Sequence, residues 1–201
     1  MSTNWTRNTR ERLQRTIPIE HLLPDTMPVY VDSAVYWFGV LTIVSFVWII
    51  VSGAILVLFG PDWWHISRIG HFFNSMHFWG VQAFFFFMVL HLWAQFFMAS
   101  WRNGRQALWI GGWVLFLLSI VTAFTGYLSQ TNFDSQWISV QGKDAMNSAG
   151  IGGFFNLLNF GQMFGLHVFL LPVAILIFIG LHVFLVRKMG VVEPISDEEE
   201  R

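Results

Sequence analysis

Four histidines stand where an apolar chain should carry no ionisable group. His77 and His91 lie 14 residues apart in one long apolar run, and His167 and His182 lie 15 apart in another. At about 1.5 Å of rise per residue, those separations span roughly 21–23 Å along a helix. At about 100° per residue, they return to within roughly 40° and 60° of the starting face. Each run therefore presents one imidazole near each end of a membrane-crossing helix, on about the same side. No Asp, Glu, Lys or Arg interrupts these runs, and intramembrane ionisable groups are costly enough to mark function. The two runs cross in the same direction, so His77 is level with His167 and His91 with His182. Two level imidazole pairs inside a helical bundle suit two metal centres with two axial nitrogens each. Haem is the natural candidate, because histidine is its usual ligand and a macrocycle fits between helices.

The elements that must position these residues follow from composition. Hydrophobic residues make up 55% of the 201 residues, aromatics 18% and charged residues 11%, whereas a soluble domain carries about 25% charged residues. Four stretches are long and apolar enough to span a bilayer: Val35–Phe59, Phe72–Ala99, Leu108–Leu128 and Phe160–Val186. Gly60-Pro61 and Ser129–Asn132 are the breakers that end the first and third. Basic residues near the span ends divide eight (Arg7, Arg10, Arg12, Arg15, Arg102, Arg105, Arg187, Lys188) against two (Arg68, Lys143). That asymmetry puts both termini on the cytoplasmic side. Leu13 and Ile17 among the arginines suggest a short helix lying on the membrane surface, or a plain basic tail. Asp197–Glu200 reads as a solvated end. The long connection 129–159, with Trp137, Phe154 and Phe155, is expected to fold back as short helices on the outer surface.

The other two spans repeat the histidine period in glycines. Gly39 and Gly53 in the first, and Gly112 and Gly126 in the third, are each 14 apart. A glycine leaves room for a flat group to press against the backbone, although small residues also promote ordinary helix packing in membranes. Histidines on two helices and glycines on the other two describe an all-α transmembrane four-helix bundle holding two b-type haems between helices 2 and 4.

Other chemistries find no residues to use. With no cysteine there can be no disulfide, thiolate site, iron–sulfur ligation or covalent c-type haem on this chain. A net charge of −1 argues against nucleic acid, which needs a basic face. P-loop, nucleophile-elbow and dinucleotide fingerprints are absent, and no side chain is singled out as catalytic. A transporter or proton channel using the histidines as relays would leave the glycine periods unexplained.

From about Tyr30 to Pro194 the sequence resembles the N-terminal half of cytochrome b from quinol–cytochrome c reductases, above all the split type with a separate four-span subunit. The stretches that carry the likeness are Tyr36-Trp37-Phe38-Gly39 through Ser52-Gly53, His77 through His91, Thr125-Gly126-Tyr127, His167–Pro172 and His182–Gly190. The resemblance implies an electron-transfer subunit of an oxidoreductase in a bacterial or archaeal cytoplasmic membrane. Quinol would be oxidised near an outer haem held by His77 and His167. Quinone would be reduced near an inner haem held by His91 and His182, with Arg187 beside the inner quinone or a haem propionate and Lys188 as an anchor. Partners would be a second cytochrome b subunit, a Rieske iron–sulfur protein, a c-type cytochrome and membrane lipid, in a dimeric complex. Three regions then follow: a cytoplasmic arm over 1–34, the di-haem domain over 35–190 and an acidic tail over 191–201.

The sequence also departs from that family. Asn74, Ala94 and Gln162 stand where arginines are common, Ser129-Gln130 replaces Pro-Trp, and Trp37 replaces the cysteine that holds an extra haem in the split branch. His65 and His71, in the first outer connection, could replace a missing propionate partner or simply face solvent. These departures keep open a second reading, a di-haem anchor linking the quinone pool to a molybdenum or multihaem enzyme.

Overall fold

The computed structural model describes residues 8, 9, 11, 12 and 28–195. The surface helix expected around Leu13 and Ile17 and the acidic tail 197–200 lie outside the described residues. Among the described residues there is no β-strand, as expected where hydrocarbon leaves every backbone group to be satisfied within its own segment.

Four helices are long and apolar enough to cross a membrane. A 3-10 turn, Val29–Asp32, leads into α1, Ala34–Ile66. The breaker signal at Gly60-Pro61 marks a true interruption, because Gly60 is non-helical within this range. The chain kinks at Gly60, whose φ of 77° favours glycine, and one further short helical stretch runs to Ile66. α2, Arg68–Phe97, starts four residues earlier than its apolar run because the Ser67 hydroxyl caps it, accepting the Gly70 N–H at 3.4 Å. α3 is Gln106–Leu128. α4, Phe133–Ser148, is capped by Asn132, which accepts the Ser135 N–H at 2.8 Å. It is one 16-residue helix where several short ones were expected, followed by an irregular stretch to Asn159. α5 runs from Phe160 to Met189.

The helices pair as α1 along α2 and α3 along α5. Gly80 shows how close the first pair comes: a methyl there would stand 2.7 Å from the Trp48 ring and 2.8 Å from Ile49. The outer faces keep large side chains such as Leu58, Trp79 and Phe97 exposed, as suits lipid rather than water.

At the His91 end, the sequence treats Arg102 and Arg105 only as positive charge. In the structure they clamp the chain that leaves α5. Arg105 donates to the carbonyls of Gly190 (2.7 Å), Met189 (2.8 Å) and Val191 (3.4 Å), and Arg102 to that of Glu193 (2.8 Å). The Tyr36 hydroxyl, near the start of α1, donates to Val192 O at 2.8 Å. A helix C-terminus presents unsatisfied carbonyls and a partial negative charge, so a guanidinium fork is well matched to it. Arg105→Ala should destabilise the protein in detergent by about 1–3 kcal/mol, seen as a lower melting temperature. Arg105→Lys should recover only part of that loss, since one ammonium cannot fork across three carbonyls.

Candidate haem-binding centre

The two histidine helices sit diagonally in the bundle, each packed on a glycine-bearing neighbour rather than mainly on the other. Each of the four histidines faces one of the four glycines. A methyl at Gly53 would stand 3.1 Å from His77 Cε1, one at Gly39 3.1 Å from His91 Cε1, and one at Gly112 3.7 Å from His182 Cε1. At Gly126 a methyl would collide with the His167 imidazole. The sequence treats the glycines as room for a flat group, and in this structure the flat group against each of them is an imidazole. Residues 53, 77, 126 and 167 thus form one tier and residues 39, 91, 112 and 182 the other.

Midway between the tiers lies a layer that sequence reasoning missed. Phe46, Phe84 and Ser119 are each seven residues from both tier positions on their helix, and Ile175 is eight and seven away. All four are buried. Phe46 and Phe84 pack with ring centroids 5.7 Å apart, and Met88, Leu115, Phe116 and Ile179 join them. Halving the 14-residue period would have found these residues.

Hydrogen bonds orient one imidazole pair. His167 Nδ1 lies 2.8 Å from Thr122 O; a carbonyl can only accept, so Nδ1 carries the proton and Nε2 keeps a lone pair. The Ser52 hydroxyl, which donates to Trp48 O at 2.9 Å, lies 3.1 Å from His77 Nδ1. It therefore accepts from that nitrogen, and His77 Nε2 is free in the same way. Such second partners are what orient histidines in metal sites. The His77 and His167 ring centroids are 6.1 Å apart with perpendicular planes. Two metal–nitrogen bonds of about 2 Å each, with each nitrogen roughly 1 Å from its ring centroid, would give about the same separation. The pair therefore fits one iron between two imidazoles. In the other tier, His91 Nδ1 and His182 Nδ1 are buried with no hydrogen-bond partner among the described residues. Among the described residues no three His, Cys, Asp or Glu side chains converge as around a bare ion. The imidazoles come in twos.

The unequal spacings of 14 and 15 have a local cause. Around His167 the helix widens into a π turn, Leu166–Leu170, in which the Leu171 N–H reaches back five residues to Leu166 O. Pro172 supplies no N–H, so Val168 O lacks its regular helical partner. A π turn accommodates one extra residue, which makes 15 residues in α5 equivalent to 14 in α2 and removes the angular offset expected from a regular helix.

The departures from the expected pattern are structural. Asn74 and Gln130 bond to each other twice, amide to amide, at 3.1 Å. His65 Nε2 donates to Gln130 O at 2.7 Å and lies 3.1 Å from the Thr131 hydroxyl, tying the end of α1 to the start of the 129–159 connection. Gln162 accepts the Asn156 N–H and donates to Phe154 O, both at 2.7 Å, holding the loop before α5. Ala94 is partly buried, and His71, Trp37 and Arg187 are exposed.

Residues 82–201, which include His91, His167 and His182, match the family described as Cytochrome b(N-terminal)/b6/petB. The chain belongs to this family. Membership in the cytochrome b N-terminal family implies haem, and the four-span architecture makes the chain an integral membrane protein. The chain is 29% identical over 202 residues to the cytochrome bc complex cytochrome b subunit of Chlorobaculum thiosulfatiphilum, covering 90% of this chain and 47% of that one. It is 26% identical to the menaquinol:cytochrome c reductase cytochrome b subunit of Bacillus subtilis, covering 92% and 96%. A chain of a hyperthermophilic respiratory Complex III shares the fold, with a TM-score of 0.71 at 22% identity over 92% of this chain and 53% of that chain. The chain thus spans about half the length of the Chlorobaculum relative and of the Complex III chain.

The packing ranks the four glycines. Gly126→Ala should overpack the bundle by about 1–3 kcal/mol in detergent melts. Gly39→Ala and Gly53→Ala should cost less, and Gly112→Ala should stay within about 0.5 kcal/mol of wild type. A reversed order would contradict the imidazole–glycine packing.

Proposed function

We propose that this chain is the di-haem cytochrome b subunit of a quinol-oxidising cytochrome bc-type complex. It would carry electrons across the membrane from an outer quinol site at the His77 end to an inner quinone site at the His91 end. The observation that carries this reading is the facing of His77 and His167 at 6.1 Å, with both Nε2 lone pairs free, in a bundle that repeats the same residue types 14 or 15 positions away. Along α2, His77 and His91 are roughly 21 Å apart, a large share of a bilayer's hydrocarbon thickness.

Haem, when bound, supplies reversible one-electron chemistry at iron; the protein supplies ligation, spacing and exclusion of water. His77 and His167 would hold the outer haem, and His91 and His182 the inner one. Ser52 and Thr122 O keep the outer imidazoles in the tautomer that offers Nε2. Gly39, Gly53, Gly112 and Gly126 let the ring edges lie against the backbone. Phe46, Phe84, Ser119 and Ile175 close the space between the tiers to water. Arg187, an exposed cation near the inner end of α5, is the candidate partner for a quinone oxygen or a propionate.

The excess of basic residues at the chain termini and in the α2–α3 connection supports cytoplasmic termini. Residues 35–190 would form the di-haem unit. A second cytochrome b subunit, a Rieske protein and a c-type cytochrome would complete the complex, most simply as a dimer. The neutral Asn74–Gln130 pair and the loop-holding Gln162, where arginines are common, favour a second reading: a di-haem anchor for a molybdenum or multihaem enzyme. Quinol turnover insensitive to outer-site inhibitors would select it.

A dithionite-reduced minus oxidised spectrum with pyridine-haem quantitation should give two b haems per chain. His91→Leu should leave one. One haem or none in the wild type rejects the di-haem reading, and no loss in His91→Leu rejects that ligand.

A further inference from the structure

Hydroxyls within a membrane helix are ordinarily answered by their own backbone. Thr42, Ser45, Ser119 and Thr122 donate to the carbonyl one turn back. Two hydroxyls do that and something further, and both stand immediately before a glycine of the His77 tier: Ser52-Gly53 and Thr125-Gly126. The glycines of the His91 tier follow Phe38 and Gly111, which carry no hydroxyl. Ser52 is 2% exposed and Thr125 0%, so water does not compete for either group.

The two hydroxyls meet the imidazole hydrogen bonds from opposite sides. Ser52 Oγ accepts from His77 Nδ1 at 3.1 Å and donates onward to Trp48 O at 2.9 Å and Ile49 O at 3.2 Å. A hydroxyl that donates onward is a better acceptor, because successive hydrogen bonds in a chain polarise one another. Thr125 enters differently. Its hydroxyl donates to Thr122 O at 2.9 Å and also reaches Val121 O at 3.1 Å. Thr122 O is the oxygen that accepts from His167 Nδ1 at 2.8 Å, and a carbonyl oxygen shared between two such donors gives less to each. A hydrogen bond from Nδ1 makes an imidazole more electron-rich at Nε2. Electron-rich axial ligands favour ferric over ferrous haem iron. His91 Nδ1 and His182 Nδ1 have no such partner among the described residues.

We propose that Ser52 and Thr125 set the reduction potential of the centre at His77 and His167 in opposite directions, Ser52 lowering it and Thr125 raising it, and leave the centre at His91 and His182 alone. The proposal rests on the reading of the four histidines as haem ligands and adds the residues that tune one of the two sites. Ser52 acts by accepting the His77 N–H. Thr125 acts by sharing the oxygen that receives the His167 N–H. Both are positioning residues, each working through an imidazole.

The test is equilibrium reduction of the membrane-embedded protein and its variants against redox mediators, followed by haem absorbance, with haem counted per chain. Ser52→Ala should shift the oxidised-to-reduced ratio of one haem, at fixed potential, about three- to tenfold toward reduced, the worth of one hydrogen bond. At about 59 mV per tenfold for one electron, that is about 30–60 mV upward. Thr125→Val should move the same haem about two- to threefold the other way. Ser52→Thr keeps the hydroxyl and should stay near the wild-type potential. The other haem, the one that His91→Leu removes, should not move in any of these variants. Thr125→Val keeps the side-chain shape, so the sign test survives if Ser52→Ala binds less haem. Two haems whose potentials ignore both substitutions, shift in the same direction in both, or shift equally with each other overturn the proposal and leave the di-haem reading standing. A wild type without haem overturns both.

Discussion

Hydrocarbon gives a buried imidazole nothing to bond with, and that constraint organises the bundle. Four such rings have to be answered by protein or by a bound group, at two depths. For His77 and His167 the answer comes from neighbours: the Ser52 hydroxyl and a backbone carbonyl of α3 take the Nδ1 protons. Those bonds require α1 to lie against α2 and α3 against α5, and glycine at the facing positions is what permits the approach. Helix pairing, glycine placement and ring orientation are therefore one requirement met together. The His91 tier repeats the glycine contacts without the second partners among the described residues, so hydrogen bonds from the protein do not fix its rings. A packed layer around Phe46 and Phe84 separates the tiers and joins the two helix pairs into one bundle.

Much of this was legible in the sequence, because lipid removes alternatives. An uninterrupted apolar run must be a helix, and the 14-residue repeats of His and Gly can be read by counting. The features that escaped depend on side chains meeting across distant positions. Arg102 and Arg105 count as positive-inside charge, and only folding shows that they hold carbonyls more than 80 positions away. Asn74 and Gln130 look like two separate losses in sequence; in space they are a single reciprocal amide pair. The break at Gly60-Pro61 was legible from the residue types, whereas the short helical stretch that follows it to Ile66 was not.

The two ends of the bundle are built differently. At the His91 end, guanidinium groups grip the chain leaving α5. At the His77 end, neutral amides and His65 bind the end of α1, the start of α2 and the 129–159 connection into one network. Cytochrome b N-terminal architecture is thus maintained here with little formal charge around the His77 tier.

The π turn at His167 has a consequence for how such proteins are compared. Because one additional residue is absorbed within Leu166–Leu170, an insertion there does not rotate the rest of α5 or displace His182. Residue counts between paired histidines are then an elastic ruler. Two chains whose spacings differ by one can carry superimposable sites, and an alignment that forces the histidines together by shifting the whole helix would misplace every contact below the turn.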